Sequence, residues 1–224
     1  HCVTRRQRQM CIRDSHIDIC AWIAGKSSRP TKVTAFAAMG AANKYLNVSD
    51  RKIEDTITLT TEWENKEDGS KGIGIYTASW IAPKSDSHTQ QNFHYCGQNG
   101  EIRVNQARRG YEMAMDDEQR PFANLNPLYM KYTPGKDGYF SGQNGYGYRS
   151  IERFVEVCQQ MNDGKITKED VENMGDLATI ESSARVTAIL EAGRHSLDNS
   201  SRGVELVYDK SAPFESEPTA LRLF

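Results

Sequence analysis

No run in this 224-residue chain approaches the ~20 consecutive apolar residues of a membrane-spanning helix. A mean hydropathy of −0.68 and a charged fraction of 26% belong to a soluble chain, so no membrane partner is expected. Charge of one sign is also missing: the formal net charge of −2 gives the whole chain no attraction to nucleic acid or anionic lipid. The five cysteines, Cys2, Cys11, Cys20, Cys96 and Cys158, are odd in number and show no C-x-x-C spacing, which speaks against a disulfide scaffold. They read as reduced thiols, and a cytoplasmic location follows as the expectation. No His/Cys/Asp/Glu set has metal-ligand spacing along the chain, and no Ser/His/Asp arrangement can be argued, so no metal site is expected. At this length the chain can bury a sizeable core, as one domain or two small ones.

What the chain does have is a block of alternating residues from Glu54 to Gln106. Thr56, Thr58, Thr60 and Glu62 alternate with Ile57, Leu59, Thr61 and Trp63, the period of two of a half-buried strand. Alternation resumes over 72–81, with Ile73, Ile75, Thr77, Ser79 and Ile81 on one side and Tyr76, Ala78 and Trp80 on the other. Lys66-Glu67-Asp68-Gly69-Ser70-Lys71 between them is turn chemistry, so the two runs form a hairpin. Asn92–Cys96 and Glu101–Asn105 flank an Asn99-Gly100 dipeptide, the strongest short-range hairpin signal, whose two central residues need positive φ. The block is therefore an antiparallel sheet with one wet face.

The first fifteen residues are set apart. Arg5, Arg6, Arg8 and Arg13 occur with no acidic residue before Asp14, which on one reading is a basic arm for nucleic acid. The preferred reading is that Met10-Cys11-Ile12-Arg13-Asp14-Ser15 resembles a translated sequencing adapter, so residues 1–15 are a non-native leader, excluded from fold reasoning. On that reading a signal peptide is not excluded, and no nucleic-acid partner is expected. Residues 16–208 then form one domain and 209–224 a frayed polar tail.

Ile17–Ile23 is expected to be helical, with Gly25 as C-terminal cap, and a strand is expected over Lys32–Gly40. A polar loop over Asn47–Arg51 leads into the alternating block. A further strand over Arg108–Met115 and a long irregular stretch from Asp116 to Asn144 follow that block. Tyr148, Ile151, Phe154, Val155, Cys158 and Met161 then recur at spacings of three and four, the apolar face of an amphipathic helix over Gly145–Asn162. Thr167 and Asp170 resemble a capping box. A helix over Asp176–Leu197 carries Ala178, Ala184 and Ala188, which suits close packing. Val204–Val207 is a short strand returning to the sheet. Strands followed by helices indicate an α+β fold.

His16-Ile17-Asp18-Ile19-Cys20-Ala21-Trp22-Ile23-Ala24-Gly25 resembles the His-x-x-Asp helix of the glucose–fructose oxidoreductase/inositol dehydrogenase (Gfo/Idh/MocA) family. Phe93–Val104, with Gly97-Gln98-Asn99-Gly100, is similar to that family's strand–Gly-x-x-Gly–strand hairpin. Residues 145–155 and 187–194 resemble its last two helices, and Val204-Glu205-Leu206 its terminal strand. The resemblance implies the C-terminal, substrate-binding and oligomer-forming domain of an NAD- or NADP-dependent dehydrogenase of a sugar or polyol, an α+β domain with a large, open, mainly antiparallel sheet and helices packed on one face. The matched part has no cofactor-binding residues: no Gly-x-Gly-x-x-Gly follows a strand, and the family's Glu-Lys-Pro segment is missing.

The resemblance also implies where the chemistry lies. Asp18 matches the second aspartate of the family's catalytic helix, while the positions of its histidine and first aspartate fall on Ser15 and Cys11. His16 stands beside the histidine position, where a group titrating near neutrality takes a hydroxyl proton as hydride leaves. His16 and Asp18 are the catalytic candidates, against a surface or capping role for each. Tyr146, Tyr148 and Arg149, at a helix start beside a glycine-rich loop, are substrate-binding candidates for sugar hydroxyls, against a packing role. His94, between Phe93 and Tyr95, is a further candidate, expected to stand alone on its face of the sheet. The competing reading is a non-catalytic sugar-binding or oligomerisation module. By itself the chain is expected to show no dehydrogenase activity.

Overall fold

A computed structural model describes residues 16–39, 54–79, 92–105, 110–115, 122–125 and 146–224. They divide into two compact units, one from the described residues up to Pro83 with Ala178–Phe224, the other from those between Lys84 and Leu177. Together they give a mixed α and β chain built on antiparallel strands. No described helix is long and apolar enough to cross a membrane.

The first unit opens with helix α1, residues 16–24, closed by a 3-10 turn over Gly25–Ser27. Gly25 takes a φ of 61°, the left-handed conformation that ends helices and that other residues adopt at a cost. Strands β1 (Ser28–Met39), β2 (Glu54–Asn65) and β3 (Lys71–Ser79) follow as a meander. β1 starts four residues before the expected Lys32 and takes in Pro30. A register shift between Pro30 and Lys32 accommodates the residue that cannot donate to a ladder. The β2–β3 turn is held where the sequence placed it, by the Asn65 and Asp68 side chains accepting from the Glu67 and Ser70 amides, each at 2.9 Å.

The period-two pattern sorts β2 as expected. Ile57, Leu59, Thr61 and Trp63 are buried, while Thr56 and Thr58 hydrogen-bond across to Ser79 and Thr77 on the wet face. Onto the buried face pack Ile17 and Ala21 of α1, and Val186, Ile189 and Ala192 of helix α4 (Ile180–Asp198), with Val33 and Tyr76 from the sheet. Side chains such as Leu59, Val33 and Ile189, at 1% exposure or less, each contribute about 1.5–3 kcal/mol of transfer energy. The small residues of α4 bring its backbone close: a Cβ on Gly193 would overlap Leu59 Cδ1. α4 begins at Ile180 rather than Asp176, because Thr179 and Ser182 form a reciprocal capping box there.

β8 (Val204–Val207) returns beside β1, and β9 (Ala220–Leu223) beside β8, giving the order β3-β2-β1-β8-β9. The frayed tail is thus corrected. Residues 209–224 supply an edge strand, Phe214 stacks on the Arg29 guanidinium at 4.2 Å, and the Phe224 amide donates to the Gly203 carbonyl at 3.0 Å. β8 pairs with β1 only at Lys32 and Val33. Beyond its end the Ala35 amide donates to Ser196 Oγ of α4 at 3.0 Å, a side chain standing in for the missing strand.

The second unit holds a separate meander, β4 (Asn92–Gly97), β5 (Gly100–Asn105), β6 (Gly110–Met115) and β7 (Phe122–Leu125), in that order across its sheet. The strands therefore lie in two sheets among the described residues, where one large sheet was expected. β7 falls inside the stretch read as irregular. The expected polar loop over Asn47–Arg51, and Trp80 and Ile81, lie outside the described residues. The turn between β4 and β5 also differs: Gly97 pairs with Gly100, so the loop residues are Gln98 and Asn99. Positive φ among the described residues occurs at neither, so this is not the primed Asn-Gly turn.

Helix α2 (Tyr146–Asn162) and helix α3 (Lys168–Met174) complete this unit. The predicted Thr167–Asp170 capping box is present, with the Asp170 carboxylate accepting from the Thr167 amide at 2.8 Å. Arg153 ties α2 to the end of α3 through Asp176 at 2.7 Å. The apolar stripe of α2 is a correction: Ile151, Phe154 and Val155 are more than half exposed, and Val157, on the neighbouring side, is the buried residue.

Candidate functional site

In α1 the two catalytic candidates stand two residues apart, about 200° around the helix, so they leave it on opposite sides. His16 is half-buried beside Ile17, and burial lowers its pKa, favouring the neutral imidazole that can accept a proton. Asp18 lies on the exposed side, with its carboxyl raised by partial desolvation. Trp22 is 76% exposed, so Ile17 and Ala21 are what hold the helix to the sheet. Cys20 sits near Tyr76, and burial pushes the thiol up. The Tyr76 phenol is buried without a hydrogen-bond partner among the described residues, and that burial pushes it strongly up.

Tyr146, Tyr148 and Arg149 all belong to the first turn of α2. Tyr148 and Arg149 are exposed there, a phenol and a guanidinium on one helix start. The Tyr146 side chain lies outside the described residues.

The expectation of a solitary His94 is overturned. Cys96 lies opposite Glu101 and His94 opposite Arg103 in the β4–β5 ladder, which sets these four side chains on one face of the hairpin. Phe93 and Tyr95 occupy the other face, stacked with centroids 6.5 Å apart. His94 Nε2 is 2.7 Å from Glu101 Oε2 and 3.1 Å from Cys96 Sγ. Arg103 donates to Glu101 at 3.1 Å and lies with Nε 3.4 Å from His94 Nε2. The hydrogen bond from His94, together with Arg103, holds the Glu101 carboxyl below the ordinary range.

The expectation that no His/Cys/Asp/Glu set has metal spacing is corrected here as well. The donor atoms of His94, Cys96 and Glu101 lie within 4.8 Å of one another. Cys96, Glu101 and Arg103 were missed because the spacing runs across a ladder and not along the chain. The signal was present in the His-x-Cys of one strand facing the Glu-x-Arg of the next.

Among the described residues Cys20, Cys96 and Cys158 are free cysteines. No protein-family model matches the chain, and no curated protein matches it.

Every described ladder is antiparallel, so no strand–glycine turn–helix cradle for a pyrophosphate exists among the described residues. The described residues do not fit a nicotinamide cofactor.

Proposed function

We propose that the chain serves as the substrate-binding and assembly domain of an NAD- or NADP-dependent oxidoreductase acting on a hydroxyl or carbonyl of a sugar, polyol or related compound. The observation that carries this reading is α1 packed on the five-stranded sheet whose first strand neighbours the returning strand β8. That is the order of elements which the resemblance to the Gfo/Idh/MocA family implies: a His-x-x-Asp helix, an antiparallel sheet, then helices and a terminal strand. On this reading the fold is the family's α+β C-terminal domain in a cytoplasmic protein, and the nicotinamide site belongs to sequence outside this chain.

His16, neutral through its partial burial, is the candidate to accept the hydroxyl proton, and Asp18 the candidate to orient a neighbouring group. Tyr146, Tyr148 and Arg149 are the candidates to hydrogen-bond sugar hydroxyls. Assembly is assigned to the outer face of the five-stranded sheet, where Phe36, Ile73 and Ile75 are 63%, 74% and 69% exposed. That apolar exposure favours the second reading too, a non-catalytic module in which the sheet serves assembly.

The test is to read the gene upstream of the His16 codon, express the longer product, and assay it with NAD+ and NADP+ against a panel of sugars and polyols. Nucleotide reduction dependent on His16 or on the residue that precedes it supports the first reading. Light scattering showing oligomers, with no turnover and no saturable sugar binding, supports the second and removes the first.

A further inference from the structure

The polar face of the β4–β5 hairpin crowds one ring nitrogen with three polar partners. His94 Nε2 meets Glu101 Oε2 at 2.7 Å, Cys96 Sγ at 3.1 Å and Arg103 Nε at 3.4 Å. A ring nitrogen carries either a hydrogen or a lone pair. With a hydrogen it can donate to Glu101, and the Cys96 S–H can turn to the same carboxylate oxygen, 3.8 Å from the sulfur, but the Arg103 N–H is then left facing a donor. With a lone pair it can accept from those two, but its short contact with an ionised carboxylate sets lone pair against lone pair. A second proton on the imidazole restores the first conflict and adds a cation beside Arg103.

A catalytic relay does not resolve it either. In a Cys-His-Glu relay the thiol and the carboxylate engage different ring nitrogens. Here both engage Nε2. What an imidazole nitrogen, a thiol sulfur and a carboxylate oxygen can do together at one point is share a Lewis acid, each giving a lone pair.

We propose that His94, Cys96 and Glu101 form a binding site for a divalent cation of the Zn2+ class on the exposed face of this hairpin. The donor set selects the class. Nitrogen, sulfur and oxygen ligands suit a borderline ion, whereas Ca2+ and Mg2+ demand oxygen shells. Three protein ligands leave the fourth tetrahedral position to water or an exogenous ligand, and the exposure of the face leaves it accessible. Two paired strands hold the three side chains in register before any ion arrives. Arg103, donating to Glu101 at 3.1 Å, orients the carboxylate, the outer-shell role.

The experiment uses the full reduced chain with Zn2+ in a competition titration and Co2+ as a spectroscopic probe. Because Cys2, Cys11, Cys20 and Cys158 are also present, the assignment rests on variants rather than stoichiometry. His94→Ala, Cys96→Ser and Glu101→Gln alter side chains outside the buried core, and circular dichroism verifies the fold of each. Each should weaken Zn2+ binding at least about tenfold, since loss of an outer-shell partner alone costs that much. Cys96→Ser should abolish the thiolate-to-Co2+ charge-transfer band. Absence of saturable Zn2+ binding by the unaltered chain overturns the proposal, as does a Co2+ band that survives Cys96→Ser or an affinity unchanged by His94→Ala.

Discussion

Ser196 is fully buried, and its hydroxyl does two things at once: it accepts from the Ala35 amide at 3.0 Å and donates to the Arg202 carbonyl at 2.6 Å. The first bond completes β1 where β8 has ended; the second pins the turn after α4, in which Ser200 and Ser201 hold positive φ. Ser196→Ala removes one oxygen, too little volume for a meaningful cavity, so the cost is almost wholly polar. A buried N–H left without a partner costs about 1–3 kcal/mol, and loss of the bond to the partly exposed carbonyl costs less, about 0.5–1 kcal/mol, because water can reach it. The expected loss is about 2–3 kcal/mol, a large share of the ~5–15 kcal/mol that holds a domain together. Urea unfolding of the two proteins reads it as a lowered midpoint at unchanged slope. Amide exchange supplies a local check, since Ala35 should lose protection relative to its neighbours in β1. A loss below about 0.5 kcal/mol, with Ala35 still protected, would refute the reasoning that α4 substitutes for a strand at this point.

Thr61 is fully buried and its hydroxyl has no hydrogen-bond partner among the described residues, so Thr61→Val should stabilise the protein by about 1 kcal/mol; a lowered urea midpoint would show that the hydroxyl is satisfied. Gly193→Ala should destabilise by about 1–2 kcal/mol despite the better helix propensity of alanine, because its methyl overlaps Leu59, which is fully buried; thermal unfolding checks it, and a raised midpoint sinks the idea. Tyr208 donates to the Pro30 carbonyl at 2.6 Å, and burial pushes its phenol up to about 12, against about 10 when unfolded. Between those values the unfolded chain has released the proton and the native chain retains it, so stability falls as pH rises from about 10 to about 12. Tyr208→Phe should flatten that decline in urea midpoints, with the more deeply buried Tyr76 leaving a residual slope in the same direction.

The elements that could be read from the sequence are those whose determinants lie within one turn or one strand pair. The alternation Ile57-Leu59-Thr61-Trp63 names its own buried face, and Thr167 with Asp170 closes its helix start without help from elsewhere. The elements misread depend on partners far along the chain. β9 is four residues in a polar tail, and only β8, across the intervening loop, turns Leu221 and Leu223 into an edge strand. The start of β1 before Pro30 exists because β2 extends to Asn65 and offers it a partner, with a bulge to spare the missing N–H. The apolar stripe of α2 shows the converse. Spacing alone identified a helix, but it did not identify which side the described residues bury.

The misread turn and the missed side-chain cluster are one error. Placing Asn99 and Gly100 at the centre of the hairpin would pair Cys96 with Arg103 and slide Glu101 to a position opposite Gln98. That is a displacement of two residues, about 6–7 Å along the strand. The four polar side chains would still share a face, since a slip of two preserves the alternation. Glu101, however, would stand beyond the reach of His94, and His94 would read as the solitary strand histidine that the sequence suggested. The observed pairing of Gly97 with Gly100 puts Glu101 opposite Cys96 and within hydrogen-bond distance of His94. The cluster therefore tests the register: Glu101→Gln should change Zn2+ binding only in the observed pairing. In the slipped one, the carboxylate would have no part in holding the ion.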